Sequence, residues 1–220
     1  MLKLKLIYHK ATKYLFCSIF FFVISVEGYS QKDLSRTYFA EGVENILIDG
    51  NGVHTLKIHA SNVEYISVNV HLEGETSEEI VIREQIQGNQ LSLGFGSWPL
   101  AKAYNDKLSA HKIISVEVLI TIPENLFVSI ASNTAGVYAK GTFRSLHIDI
   151  EDKNCAVHTF NGDATLKTNV GNIMVLIDNN TTVAEAETTY GTVKTNLGAT
   201  GIFTIFAESV HGDITLQQTQ

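Results

Sequence analysis

The chain has 220 residues, with 16 Lys and Arg against 23 Asp and Glu, a formal charge of −7. That acidic balance argues against nucleic acid or an anionic membrane surface as partner, because both reward clustered Lys and Arg. Only two cysteines are present, Cys17 and Cys155, so a disulfide framework is excluded as the source of stability and core burial must serve instead.

The first segment, "MLKLKLIYHKATKYLFCSIFFFVISVEGYSQKD", places Lys3, Lys5, Lys10 and Lys13 ahead of an apolar run from Tyr14 to Val26. Gly28 and Ser30 follow as small residues near a cleavage point. This pattern predicts a secretory signal peptide over 1–30, cut after Ser30. The alternative is an uncleaved membrane anchor, but the run is shorter than the roughly 20 apolar residues a spanning helix needs; after cleavage no spanning segment is expected. Cys17 lies within the run with no small residues ahead of it, which argues against lipid attachment. Removal of residues 1–30 leaves 12 basic against 22 acidic residues, a formal charge of −10, and Cys155 as the only thiol.

Residues 31–42 are polar and read as a loose start. Short alternating runs follow: "NILIDG", "VHTLKIHA", "YISVNVHLEG", "EIVIREQ", "QLSLGFG" and "KIISVEVLITIP". Apolar side chains on every second residue predict strands that bury one face. The rhythm changes in "SWPLAKAYNDKLSAH", where Leu100, Tyr104 and Leu108 recur every four residues behind Ser97 and Pro99. That spacing predicts one short helical insertion, with Ser97 as its cap. Trp98 there is an anchor that packs the insertion, or else a ligand platform.

From residue 125 the strands repeat. When the segments are registered on Ala135, Cys155, Gly171, Gly191 and Gly212, the spacings are 20, 16, 20 and 21. Two residues after each anchor stand Val137, Val157, Ile173, Val193 and Ile214. Five before stand Ile130, Ile150, Leu166, Ala186 and Ala207, and seven before, Val128, Ile148, Ala164, Ala184 and Ile205. Three before, each segment carries a small polar residue or Asp: Ser132, Asp152, Thr168, Thr188 and Ser209. A period of about 20 residues matches one coil of a β-solenoid, whose coils share a continuous core. The expectation is therefore all-β, a single-domain β-solenoid over 31–220, with an irregular N-terminal part (31–124) and regular coils (125–217). The anchors are expected to be small because the chain turns there. Cys155 then reads as a small apolar corner residue rather than a reactive thiol.

The segments "ILIDGNGVHTLKIHAS" and "VEVLITIPENLFVSIAS" and the "G-x-[IV]-x-[TL]" coils behind a signal peptide resemble the bacterial exported adhesin-like family of the DUF type, which is related to β-helical surface domains. The resemblance covers most of residues 43–217 and implies an exported envelope protein with no catalytic residues to carry over.

The chain has no H-E-x-x-H, G-x-S-x-G or phosphate loop, so the common hydrolase and nucleotide signatures are absent. His54, His71, His147 and His158 fall at outward strand positions without metal-ligand spacing and read as surface imidazoles. "NGD" at 161–163 and "HGD" at 211–213 resemble calcium repeats but lack their nine-residue period, and read as turns. Acids are abundant, and the column four before each anchor reads Ala131, Glu151, Lys167, Glu187 and Glu208. Lys167 is its only cation and no aromatic flanks it within the column, which disfavours glycan cleavage. These observations point to a non-enzymatic, exported cell-envelope module, adhesin-like, with no cofactor or metal. Its expected partner is an envelope protein or polysaccharide, met on the face of Glu151, Lys167, Glu187 and Glu208 or, alternatively, at Trp98. An accessory or sensory component of an envelope-stress system is the second reading, and a carbohydrate-active enzyme the third.

Overall fold

The computed structural model describes residues 31–73, 80–97, 115–178, 182–198 and 200–218. Among them there is no helix, and residues Gln31–Gln220 form one compact unit. The expected signal peptide, the helical insertion and Trp98 lie outside the described residues. Ser97 is the last residue of a strand, and the helix it was expected to cap lies outside the described residues.

Fifteen strands follow one another: β1 (Gln31–Phe39), β2 (Asn45–Asp49), β3 (Thr55–Ser61), β4 (Tyr65–Glu73), β5 (Ile80–Gln87), β6 (Gln90–Ser97), β7 (Ser115–Pro123), β8 (Phe127–Ser132), β9 (Gly136–Asp152), β10 (Cys155–Val170), β11 (Ile173–Ile177), β12 (Thr182–Thr188), β13 (Val193–Thr195), β14 (Phe203–His211) and β15 (Ile214–Gln218). They belong to one continuous sheet. Its pairings resolve into two ladders. The first runs β5, β6, β2, β8, the second half of β9, the second half of β10, β14, β12. The second runs β1, β4, β7, β3, the first half of β9, the first half of β10, β11, β15, β13. Pairing is parallel except β1–β4, β4–β7 and β5–β6. The N-terminal strands thus join the ladders of the C-terminal half. Discrete coils are not separated in the sheet, because β9 and β10, at 17 and 16 residues, run through from one ladder to the other.

Alternation dictates which side is buried. Val128, Leu146, Ala164 and Ile205 stand abreast on neighbouring strands, as do Ile130, Ile148, Leu166 and Ala207. All eight are buried, and they join the inward residues of the second ladder in one core cluster. Fully burying a Val, Leu or Ile contributes roughly 1.5–3 kcal/mol, so these rows are a substantial part of the core's stabilisation.

This register differs by two residues from the expected one in β9 and at the start of β10. Ile148 lies beside Leu166 and not Ala164, and Ile150 beside Thr168. Cys155 aligns with Val137 and Ile173, so it is a strand residue of the core and not the corner. The corner residue of that turn is Lys153, whose carbonyl faces Gly171. Strands have a side-chain period of two, so a slip of two leaves every inward residue inward. The apolar pattern cannot detect it.

The repeated corner has a specific construction. Thr168 Oγ1 donates to Lys153 O at 3.1 Å, Ser209 Oγ to Gly171 O at 3.0 Å and Thr188 Oγ1 to Gly212 O at 2.9 Å. Each hydroxyl satisfies a corner carbonyl of the neighbouring turn, which would otherwise cost free energy on burial. A Cβ on Gly171, Gly212 or Gly191 would stand 1.9–2.1 Å from those same carbonyls. The glycines are required by close approach rather than by unusual backbone angles. At the next position Asn154 Oδ1 accepts Asn172 N–H, Asn172 Oδ1 accepts Asp213 N–H and Asp213 Oδ1 accepts Thr192 N–H, each at 2.8 Å. "VGN", "HGD" and "YGT" are therefore one corner repeated. The Asx side chains bridge turns. "HGD" bends between β14 and β15, as expected, whereas "NGD" at 161–163 lies within β10 and is not a turn.

Candidate functional site

The outward side of the first ladder carries the acids. Asp149 of β9, Lys167 of β10, Glu208 of β14 and Glu187 of β12 stand abreast on four adjacent strands. Lys167 Nζ donates to Glu208 Oε2 at 2.7 Å and lies 5.5 Å from the centroid of the Phe206 ring. The hydrogen bond to Glu208, and that carboxylate's charge, raise the Lys167 pKa. Glu187 lies beyond Glu208 on β12, the last strand of its ladder among the described residues, and Glu185 is exposed on the same strand.

Of the residues expected on this face, Lys167, Glu187 and Glu208 share the row. Glu151 does not. The two-residue slip moves it along the strand, where its Oε1 accepts a hydrogen bond from Asn169 Nδ2 at 2.8 Å. Asp149 takes its place beside Lys167, and no signal in the apolar pattern distinguishes the two acids.

The outward side of the second ladder differs. A groove of about 380 Å³ is lined by Asp33, Lys57, Asn69, His71, Glu117 and Leu119, among others. His71 Nδ1 lies 2.7 Å from Asp33 Oδ1 and its Nε2 3.3 Å from Glu73 Oε1. These hydrogen bonds, Asp33 first, raise its pKa above the usual histidine value. Lys57 Nζ pairs with Glu117 Oε2 at 3.3 Å. Nearer the middle of this face, His59, Lys140 and His158 occupy adjacent strands, with exposed Tyr138 beside Lys57. His158 is outward, as expected. His59 and Lys140 were not singled out by sequence, because they become neighbours only through the pairing of β3 with β9.

Cys155 is buried, and burial pushes its thiol up to about 12, so it carries little thiolate at neutral pH. Among the described residues no cluster of three or more His, Cys, Asp or Glu is placed to hold a metal ion. No helix among them is long and apolar enough to cross a membrane. Both faces set side chains in rows across paired strands, which suits recognition by matching charge over several strands.

No family model matches the chain, and no curated protein matches it. Solved structures do. A chain from Clostridium sporogenes described as a "putative cell adhesion protein" is similar in fold, with a TM-score of 0.65, 14% identity, and 86% of this chain and 100% of that chain covered. A "putative adhesin" from Bacteroides fragilis matches with a TM-score of 0.39 at 14% identity, covering 86% of this chain and 98% of that one. Another from Parabacteroides merdae matches with a TM-score of 0.28 at 13% identity, covering 86% and 97%. At this identity the first likeness shows the shared fold.

Proposed function

We propose that the protein is an exported, non-enzymatic, adhesin-like module of the bacterial cell envelope. In this reading the chain is cut after Ser30 and its parallel turns coil as a solenoid. The observation that carries the reading is the outward row Asp149–Lys167–Glu208–Glu187, a continuous charged strip across four strands of a rigid ladder. Repeated turns present extended, flat surfaces, which suit broad contact with an envelope protein or a polymer. The resemblance of the coils to exported adhesin-like proteins, and the fold shared with the Clostridium sporogenes chain, point the same way.

Cell fractionation followed by pull-down of the exported protein tests this. Replacing Glu187 and Glu208 by Lys should abolish partner recovery while leaving the melting temperature nearly unchanged, because exposed ion pairs contribute little to stability. Glu151→Lys, outside the row, should leave recovery intact. Recovery lost with Trp98→Ala and unaffected by the double reversal would move the site to the insertion. Intact mass should place the mature N-terminus at Gln31. A full-length chain held in membrane would contradict export by cleavage.

A further inference from the structure

On the outward side of the second ladder, His59 of β3 pairs with Lys140 of β9, and Lys140 pairs with His158 of β10. The three residues are far apart in sequence and stand in one row across three parallel strands. Adjacent strands lie about 4.8 Å apart, so the row presents three nitrogen donors at an even step. No carboxylate shares it among the described residues. On β7 the residue beside His59 is Thr121, and the register of β10 with β11 shifts at His158, between the pairs Val157–Val175 and Phe160–Ile177. Lys140 and His158 are exposed and His59 is partly so. Lys140 makes no ion pair among the described residues, unlike Lys57, which is held by Glu117. The positive field is felt within the row: burial and then Lys140 both lower the His59 pKa. In the adjoining row Tyr138, beside Lys57, is 47% exposed and offers a flat ring next to the donors.

We propose that this row binds an anionic polysaccharide carrying a carboxylate on successive sugars, laid across β3, β9 and β10. The proposal rests on the reading of the protein as an envelope-binding module and names a ligand class and a second surface for it. The strand step is close to the length of one pyranose unit in an extended chain, so the three strands span about three sugars and meet the carboxylates that face the sheet. Charge-assisted hydrogen bonds from Lys140 and the two imidazoles to carboxylates are the stronger kind. Tyr138 supplies an apolar face for a sugar ring while its hydroxyl stays in water. A periodic row of one cation between two imidazole donors, with no carboxylate in it among the described residues, complements a periodic polyanion better than the irregular surface of a folded protein. The acidic strip of the first ladder would repel the same ligand, as would Asp33 and Glu117 further along this side, which leaves the row of His59, Lys140 and His158 as its seat.

The test is affinity electrophoresis of the exported protein in gels containing polygalacturonate, with dextran gels as the neutral comparison. Polygalacturonate should retard the protein, high salt should abolish the retardation, and dextran should have no effect. Lys140→Glu should weaken binding about tenfold or more, the scale of losing one hydrogen bond to a charged group. The double variant His59→Gln, His158→Gln should weaken it as well, and guards against a misfolded single variant. Glu151→Gln, outside both rows, should leave this binding intact. Equal migration in polygalacturonate and dextran, or unchanged retardation of a folded Lys140→Glu protein, would overturn the proposal. Retardation by DNA as strong as by polygalacturonate would overturn the carboxylate-per-sugar reading in favour of general polyanion attraction. If envelope pull-down through Glu187 and Glu208 succeeds while polygalacturonate fails, only this proposal falls; failure of both removes the binding module itself.

Discussion

A Cβ atom placed on Gly212 would stand 1.9 Å from the carbonyl oxygen of Gly171. The two glycines occupy the same corner of neighbouring turns, and the approach lets Asp213 N–H reach Asn172 Oδ1 at 2.8 Å. Gly212→Ala must push the turns apart. The expected loss is about 1–3 kcal/mol, the range for forced overpacking, read as a lower urea midpoint at unchanged slope. Gly198, where a Cβ would meet nothing closer than 4.0 Å, is the control, and its replacement by Ala should be nearly neutral.

The hydroxyl of Ser209 is the second part of that corner. The residue is buried and donates to Gly171 O. Ser209→Ala leaves that carbonyl without its side-chain donor and should cost about 1–3 kcal/mol. Ser209→Thr keeps the donor and should recover part of the loss. A Ser209→Ala protein with wild-type denaturation would show that the corner does not need the bond.

Much of this architecture was legible in the sequence, and the residues show where legibility ended. Alternation in "VHTLKIHA" and "VEVLITIP" identified strands and their buried sides, since Leu56, Ile58, Val118 and Ile120 are all buried. The small polar position three before each glycine was visible at Thr168, Thr188 and Ser209, and these are the corner donors. Cys155 was misplaced because the anchors were matched on size, whereas the corner at Lys153 tolerates a large residue whose side chain leaves the stack. The same slip put Glu151 in the row that Asp149 occupies. Neighbours formed by distant strands, such as His59 with Lys140, carry no local signal at all.

Ile150 tests the core independently of register, because it is 2% exposed and a slip of two residues leaves it facing inward. Ile150→Asp would bury an unpaired charge and should abolish cooperative folding. Ile150→Val should cost only about 0.5–1.5 kcal/mol. Circular dichroism melts of the two variants check this, and a wild-type melt for Ile150→Asp would contradict the buried row.

His71 makes the attachment of β1 to β4 sensitive to pH. Its folded pKa is raised, first by Asp33 and then by Glu73, so the protonated form is favoured in the folded state. Its contribution is fully present below the unfolded value near 6.5 and is lost as pH rises through the raised folded value. Melting temperature should therefore fall across that window in the wild type, and His71→Gln should flatten the change. A wild-type profile identical to that of His71→Gln would show that the Asp33–His71 contact is not populated.

The measurement that bears most directly on the central claim is cosedimentation of the exported protein with isolated cell envelopes, with the supernatant assayed for released sugars. Saturable, salt-sensitive binding is expected, lost when Glu187 and Glu208 become Lys, at an unchanged melting temperature and with no sugar released. Release of oligosaccharides from the envelopes, or binding indifferent to the double charge reversal, would contradict it.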